Sequence, residues 1–188
     1  IQIRELKKIK KIFNKSFVKA VDLILNCKGK IIFAGIGKSG LIARKISATF
    51  SSVGMPSFFC DPAQALHGDM GQIEKKDILI IFSYSGNTLE LTNMLKYANR
   101  YRIKIIGVAS KPDSVLLKAS DIKLILPKVR EADVTGMVPT SSTTITLLLG
   151  DCLATTVMHQ KKFSKEKFKI FHPGGNIGAS LLLAKDIM

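Results

Sequence analysis

Five short apolar runs, each but the second followed by a stretch of helical periodicity, decide what this chain can become. The runs are Lys30–Ala34, Pro56–Cys60, Ile78–Ser83, Ile103–Val108 and Ile122–Leu126. They are rich in Ile, Val and Phe and largely lack polar alternation, the pattern of strands buried on both faces of a parallel sheet. Helices are expected near 39–53, 87–100 and 113–119, with a long one over 141–160. Ahead of the first run, Ile3, Leu6, Ile9, Phe13, Phe17, Val21 and Ile24 recur at three- and four-residue steps, which predicts one amphipathic helix over about 3–27, within an N-terminal segment 1–28. The β-α-β-α rhythm implies an α/β fold: a doubly wound, five-stranded parallel sheet with helices on both faces. At 188 residues and 46% hydrophobic, the chain suits one domain, 1–188, with a real core.

Composition narrows the function classes. Charged residues make up 23%, too few for a disordered chain with so many apolar runs. The basic N-terminus lacks the apolar core of a signal peptide, and the most apolar stretch, Thr143 to Met158, is short and contains Asp151. A cytoplasmic protein without membrane contact is expected. Cys27, Cys60 and Cys152 are scattered and form no CxxC pair, so reduced thiols are expected, and neither they nor the histidines show metal-ligand spacing. The net charge of +15 fits nucleic acid, an anionic small substrate or merely a lysine-rich genome. The lysines cluster at 7–15 and 161–169, mostly on helix-like segments that do not read as a stacking platform for bases, so no nucleic-acid partner is expected.

In such a sheet, ligands bind beyond the carboxyl ends of the strands. The loops there are rich in Gly, Ser and Thr. Gly35-Ile36-Gly37-Lys38-Ser39-Gly40 fits GxGxxG after a strand and before a helix. It is no Walker A loop, since Ile32 stands where that pattern needs Gly. Its plain content is a tight turn with amides and a lysine facing an anion. Ser83-Tyr84-Ser85-Gly86-Asn87-Thr88 brings three hydroxyls and helix N-terminal amides together, more than an N-cap needs, and reads as a phosphate cradle. Pro139-Thr140-Ser141-Ser142-Thr143-Thr144 opens the long helix as a cap or a polar pocket wall.

SYSGNT between strand and helix resembles the SIS (sugar isomerase) domain, which has a flavodoxin-like fold. GIGKSG, HGDMG, SYSGNT, EADVTGMVPTSSTT and HPGGNIG, in that order from about Gly35 to the C-terminus, are similar to arabinose-5-phosphate isomerases. The resemblance implies interconversion of D-ribulose 5-phosphate and D-arabinose 5-phosphate for Kdo (3-deoxy-D-manno-octulosonate) biosynthesis, in lipopolysaccharide or capsule. It implies no cofactor and no metal, and a homotetramer whose sites are shared, with a histidine matching His172 reaching a neighbour's site. Lys185-Asp186-Ile187-Met188 resembles the start of a CBS pair that many relatives carry.

The reaction needs a carbon base, a ring-opening acid and charge stabilisation for an enediolate. Lys38, Glu90, Glu131, His172 and His67 match active-site positions of the family. Either glutamate could be the base and either histidine the ring opener. Gly37, Ser39, Ser83, Ser85, Gly86, Asn87, Thr88, Thr140, Ser141 and Ser142 are the expected substrate contacts. Two other classes compete: an isomerase of another sugar phosphate, and a non-catalytic SIS sensor. A dehydrogenase domain would rest only on GxGxxG and Asp61 and would leave the hydroxyl-rich loops without a purpose.

Overall fold

The structure, a computed structural model, describes residues 1–172. Its element order is α1 (Gln2–Leu6), a 3₁₀ turn (Lys7–Ile12), α2 (Lys15–Leu25), β1 (Ile31–Gly35), α3 (Gly37–Ser52), β2 (Ser57–Phe59), α4 (Pro62–Ala65), a second 3₁₀ turn (Asp69–Gln72), β3 (Ile78–Phe82), α5 (Leu91–Arg100), β4 (Lys104–Ala109), α6 (Val115–Ala119), β5 (Ile122–Ile125), α7 (Ser141–Gln160) and α8 (Lys165–Phe171). All five strands are parallel, in the order β2-β1-β3-β4-β5. The stretch resembling a CBS start, 185–188, lies outside the described residues.

The apolar runs become strands because alternate side chains enter two cores, one on each face. Ile31, Phe33, Ile78, Ile80 and Phe82 pack with α2, α3 and α7. Ile32, Ala34, Leu79 and Ile81 pack with α5 and α6. Burial on both faces holds for β1, β3 and nearly all of β4, whereas the edge strands β2 and β5 are only half-buried.

Two expectations need correction. The single N-terminal helix over 3–27 is broken into α1, the 3₁₀ turn and α2. Phe13 leaves helical conformation, and the Asn14 side chain accepts from the Ser16 amide to start a new helix. The apolar spacing has the right period but carries no information about that cap. The helix expected from 87 starts at Leu91, because Ser83–Thr88 forms a turn with Gly86 at φ +69°. A side chain at position 86 would also collide with the Ser114 hydroxyl.

Helices α3 and α7 cross closely on one face. A Cβ on Gly150 of α7 would collide with Cδ1 of Ile46 on α3 unless that side chain shifted. Both helices begin at the carboxyl end of the sheet, where the functional loops gather. Among the described residues no helix is long and apolar enough to cross a membrane.

Candidate active site

The strand order reverses between β1 and β3, and their following helices leave to opposite faces. That geometry opens a crevice at the carboxyl ends of the strands. A cavity of about 510 Å³ fills it, lined among others by Lys38, Ser39, Ser83, Ser85, Thr88, Glu131 and Ser142. Three separate loops, after β1, β3 and β5, therefore meet at one place.

The loop after β3 is ordered largely by its own hydroxyls. Ser83, 4% exposed, accepts from the Gly86 amide at 3.0 Å and shares a hydrogen with Thr88 Oγ1 at 2.8 Å. Ser85 Oγ accepts from the Asn87 amide at 3.3 Å. The loop is tied to the sheet through the Tyr84 carbonyl, which accepts from the Ser110 amide and hydroxyl at 2.8 and 2.7 Å. The amides of Thr88, Leu89 and Glu90, just ahead of α5, donate to no protein acceptor among the described residues. The Ser83, Ser85 and Thr88 hydroxyls and the free Thr88 amide on one side of the cavity suit a phosphate.

Glu131 stands opposite, on the loop from β5 to α7. Its Oε2 accepts from the Thr140 amide at 2.8 Å, the Thr140 hydroxyl at 3.1 Å and the Ser142 amide at 3.2 Å. The carboxylate thus caps α7 from outside the helix, and Thr140 itself gives no side-chain cap. Burial pushes the Glu131 carboxyl up, but the hydrogen bonds from Ser142 and Thr140 outweigh it and hold the group below the usual carboxylate range.

Other expected site residues fall elsewhere in the single chain. Gly37 opens α3 and Gly86 shapes the turn, without lining the cavity. Asn87 Oδ1 accepts from the Val115 amide at 3.0 Å and so anchors α6. Thr140 is taken up by Glu131 and by the Ala132 amide, which donates to its hydroxyl at 2.8 Å. Ser141 is fully buried at the start of α7. Glu90 is exposed at the N-cap of α5, and His67 is exposed after α4. His172 stacks on Phe168 at 3.8 Å, and its Nδ1 meets the Phe168 carbonyl at 2.8 Å. Its helix, α8, packs at the far end of α3, where Phe163 and Phe171 lie against Gly54. At about 1.5 Å per residue, α3 separates it from Lys38 by roughly 20 Å.

Sequence reasoning missed Tyr84, Val129, Met137 and Thr146 as cavity walls. Tyr84 sat in plain view within SYSGNT. Its hydroxyl accepts from the Val129 amide at 2.9 Å and donates to the Pro127 carbonyl at 3.4 Å, a link across the sheet that no local pattern reveals.

Comparison with known proteins agrees with this geometry. A family model described as "SIS domain" matches residues 24–156. An uncharacterized protein of Rickettsia prowazekii is 47% identical over 92% of this chain and 54% of its own length. The arabinose 5-phosphate isomerase KdsD of Pseudomonas aeruginosa is 44% identical over 92% of this chain and 53% of its own length. The solved structure of an Escherichia coli CFT073 protein in complex with arabinose 5-phosphate superposes with a TM-score of 0.84 at 36% identity, covering 90% of this chain and 92% of that one. The chain spans about half the length of the curated relatives it matches. The family match takes in all five strands and the three loops that meet at the cavity, and the chain belongs to the SIS domain family.

Proposed function

We propose that the chain interconverts D-ribulose 5-phosphate and D-arabinose 5-phosphate through an enediol, in the cytoplasm, as a supply step for Kdo in lipopolysaccharide or capsule. The observation that carries this reading is the convergence of a hydroxyl-lined helix start, Lys38 and an anchored Glu131 on one cavity. The KdsD name of one relative and the arabinose 5-phosphate bound to another support the same substrate class.

In this reading the phosphate seats against Ser83, Ser85 and Thr88, and the carbonyl end extends toward Glu131 and Lys38. A carboxylate, Glu131 or Glu90, takes a proton from C1 of the ketose, and the pair of electrons left behind makes the C1–C2 double bond of the enediolate. Lys38 stabilises the charge on oxygen. The same proton, or one from water, returns to C2 on one face, while the C1 hydroxyl proton passes to the C2 oxygen and C1 becomes the aldehyde. A histidine, His172 or His67, opens the cyclic aldose. No metal or cofactor takes part in this scheme.

His172 lies too far from its own cavity to serve it, so where His172 is the ring opener a second copy must bring it. The two loops that rim the cavity expose Leu89, Val134, Met137 and Val138, with Val134 fully exposed. Such apolar rims suit contact with another subunit, and the assembly proposed is a homotetramer with shared sites. A fully active monomer in sedimentation would overturn it.

The deciding experiment is incubation of the purified chain with ribulose 5-phosphate and identification of the aldose by NMR. Arabinose 5-phosphate is expected. A different aldose would move the assignment to another sugar phosphate. Binding without turnover would favour the sensor reading.

A further inference from the structure

The N-terminal segment carries five cations in its first eleven residues besides one acid, Glu5, and that acid is 2% exposed. A carboxylate leaves water only where charged or hydrogen-bonding partners replace it. Glu5 has three such partners. The Lys8 ammonium pairs with Oε2, the Arg4 Nε lies 3.4 Å from Oε1, and the Arg130 amide donates to Oε2 at 3.1 Å. The third is the informative one, because it ties the chain's beginning to the residue immediately before Glu131.

The neighbouring backbone is held in the same way. The Lys8 ammonium donates to the Lys128 carbonyl at 3.2 Å. Tyr84 holds the Val129 amide and the Pro127 carbonyl. Gln2 Nε2 donates to Thr144 Oγ1 at 2.7 Å on α7 and lies 3.5 Å from the Thr140 carbonyl. Consecutive backbone groups from 127 to 130 are thus fixed from outside a loop that has no regular structure of its own between 126 and 140. A loop of that length, left to itself, would hold a side chain poorly.

We infer that Glu5 is a positioning residue for Glu131, acting through the Arg130 amide, and that residues 2–8 form a strap that sets the acid loop against the cavity. The kinetic part rests on the isomerase reading above; the structural part does not. Replacing Glu5 leaves the Arg130 amide without its acceptor and the loop free to turn at the point where Glu131 departs. Substrate binding at the β3 loop, on the other side of the cavity, is untouched.

The test compares Glu5→Ala, Glu5→Gln and Lys8→Met in the full chain. Glu5→Ala is expected to lower kcat at least tenfold with KM changed less than threefold. Glu5→Gln, whose side-chain carbonyl still accepts from the Arg130 amide, should return kcat to within about threefold of the parent. Lys8→Met should show the same split on a smaller scale, and it decides the matter if Glu5→Ala does not fold. In parallel, NMR-detected hydrogen exchange of the Thr140 and Ser142 amides, the donors to Glu131, should speed up at least tenfold in Glu5→Ala or Lys8→Met at unchanged global stability. An unchanged kcat in the folded variants, or equal loss in Glu5→Gln and Glu5→Ala, overturns the inference. If the parent enzyme has no isomerase activity, the proposed function fails and the exchange rates alone decide: unchanged Thr140 and Ser142 exchange overturns the strap.

Discussion

The loop after β3 and the loop after β5 face each other across the same cavity but are ordered by opposite means. The first is short, and its conformation follows largely from neighbours in sequence: Ser83 to Gly86, Ser83 to Thr88, Ser85 to Asn87. The second is long and depends on partners far away in sequence: Glu5, Lys8 and Tyr84. A phosphate is a compact, symmetric anion, and a self-ordered turn of hydroxyls and amides suffices to hold it. A base for a carbon acid must be aimed at one face of one carbon, which calls for support from several directions.

This contrast can be broken experimentally, most forcefully at the acid loop. Glu131→Gln and Glu90→Gln are expected to lower kcat by roughly 10²–10⁴ for whichever carboxylate is the base, with substrate affinity little changed. The check is turnover and binding in both variants, with and without a chelator. Near-normal turnover in both, or activity abolished by chelation and restored by metal, would overturn the enediol scheme.

The β3 loop should respond in the other parameter. Ser85→Ala is expected to raise KM roughly ten- to 150-fold, the loss of one charge-assisted hydrogen bond of about 1.5–3 kcal/mol. Calorimetric titration with the sugar phosphate checks it, and unchanged affinity would remove the phosphate from this loop. Gly86→Ala acts on folding instead. With φ at +69° and Ser114 in the way, it should cost about 1 kcal/mol or more in a denaturant melt.

The gentlest probe is acid. The Lys8 ammonium, then the Arg130 amide, hold the Glu5 carboxyl down at about 2. The Thr135 hydroxyl and the amides of Val138 and Met137 do the same for Asp133, also about 2, against burial. A carboxyl depressed on folding contributes stability that is complete above its unfolded value of about 4. That contribution fades as pH falls from there through the folded value. The β3 loop is held by groups that do not titrate in this range. Amide shifts followed from pH 5 to pH 2 should therefore move first at Arg130 and Val138 and later at Gly86. Simultaneous loss at both loops would mean that the two are not independently ordered.

The same contrast explains what could be read from the sequence. The five strands, the long α7 and the β3 loop were legible because their causes are local: apolar period, hydroxyl density, a glycine where φ must be positive. Lys38, Ser39, Ser83, Ser85, Thr88, Glu131 and Ser142 all line the cavity. The break at Phe13 was hidden because Asn14 caps a helix within a run whose apolar spacing continues past it. Glu5 was invisible because one acid among lysines looks like a solvated face. Its partner, the Arg130 amide, is 125 positions away and carries no side-chain signature.

The close approach of Gly150 to Ile46 lies behind the cavity, where α3 and α7 cross. Nine residues separate Ile46 from Gly37 at the start of α3, and nine separate Gly150 from Ser141 at the start of α7. Each arm is about 13 Å long at 1.5 Å per residue. One arm ends beside Lys38 and the other at the amides that grip Glu131, so the close approach lies at equal distance behind cation and carboxylate. Adding a methyl there, as in Gly150→Ala, would have to displace the Ile46 side chain or the helix that carries it.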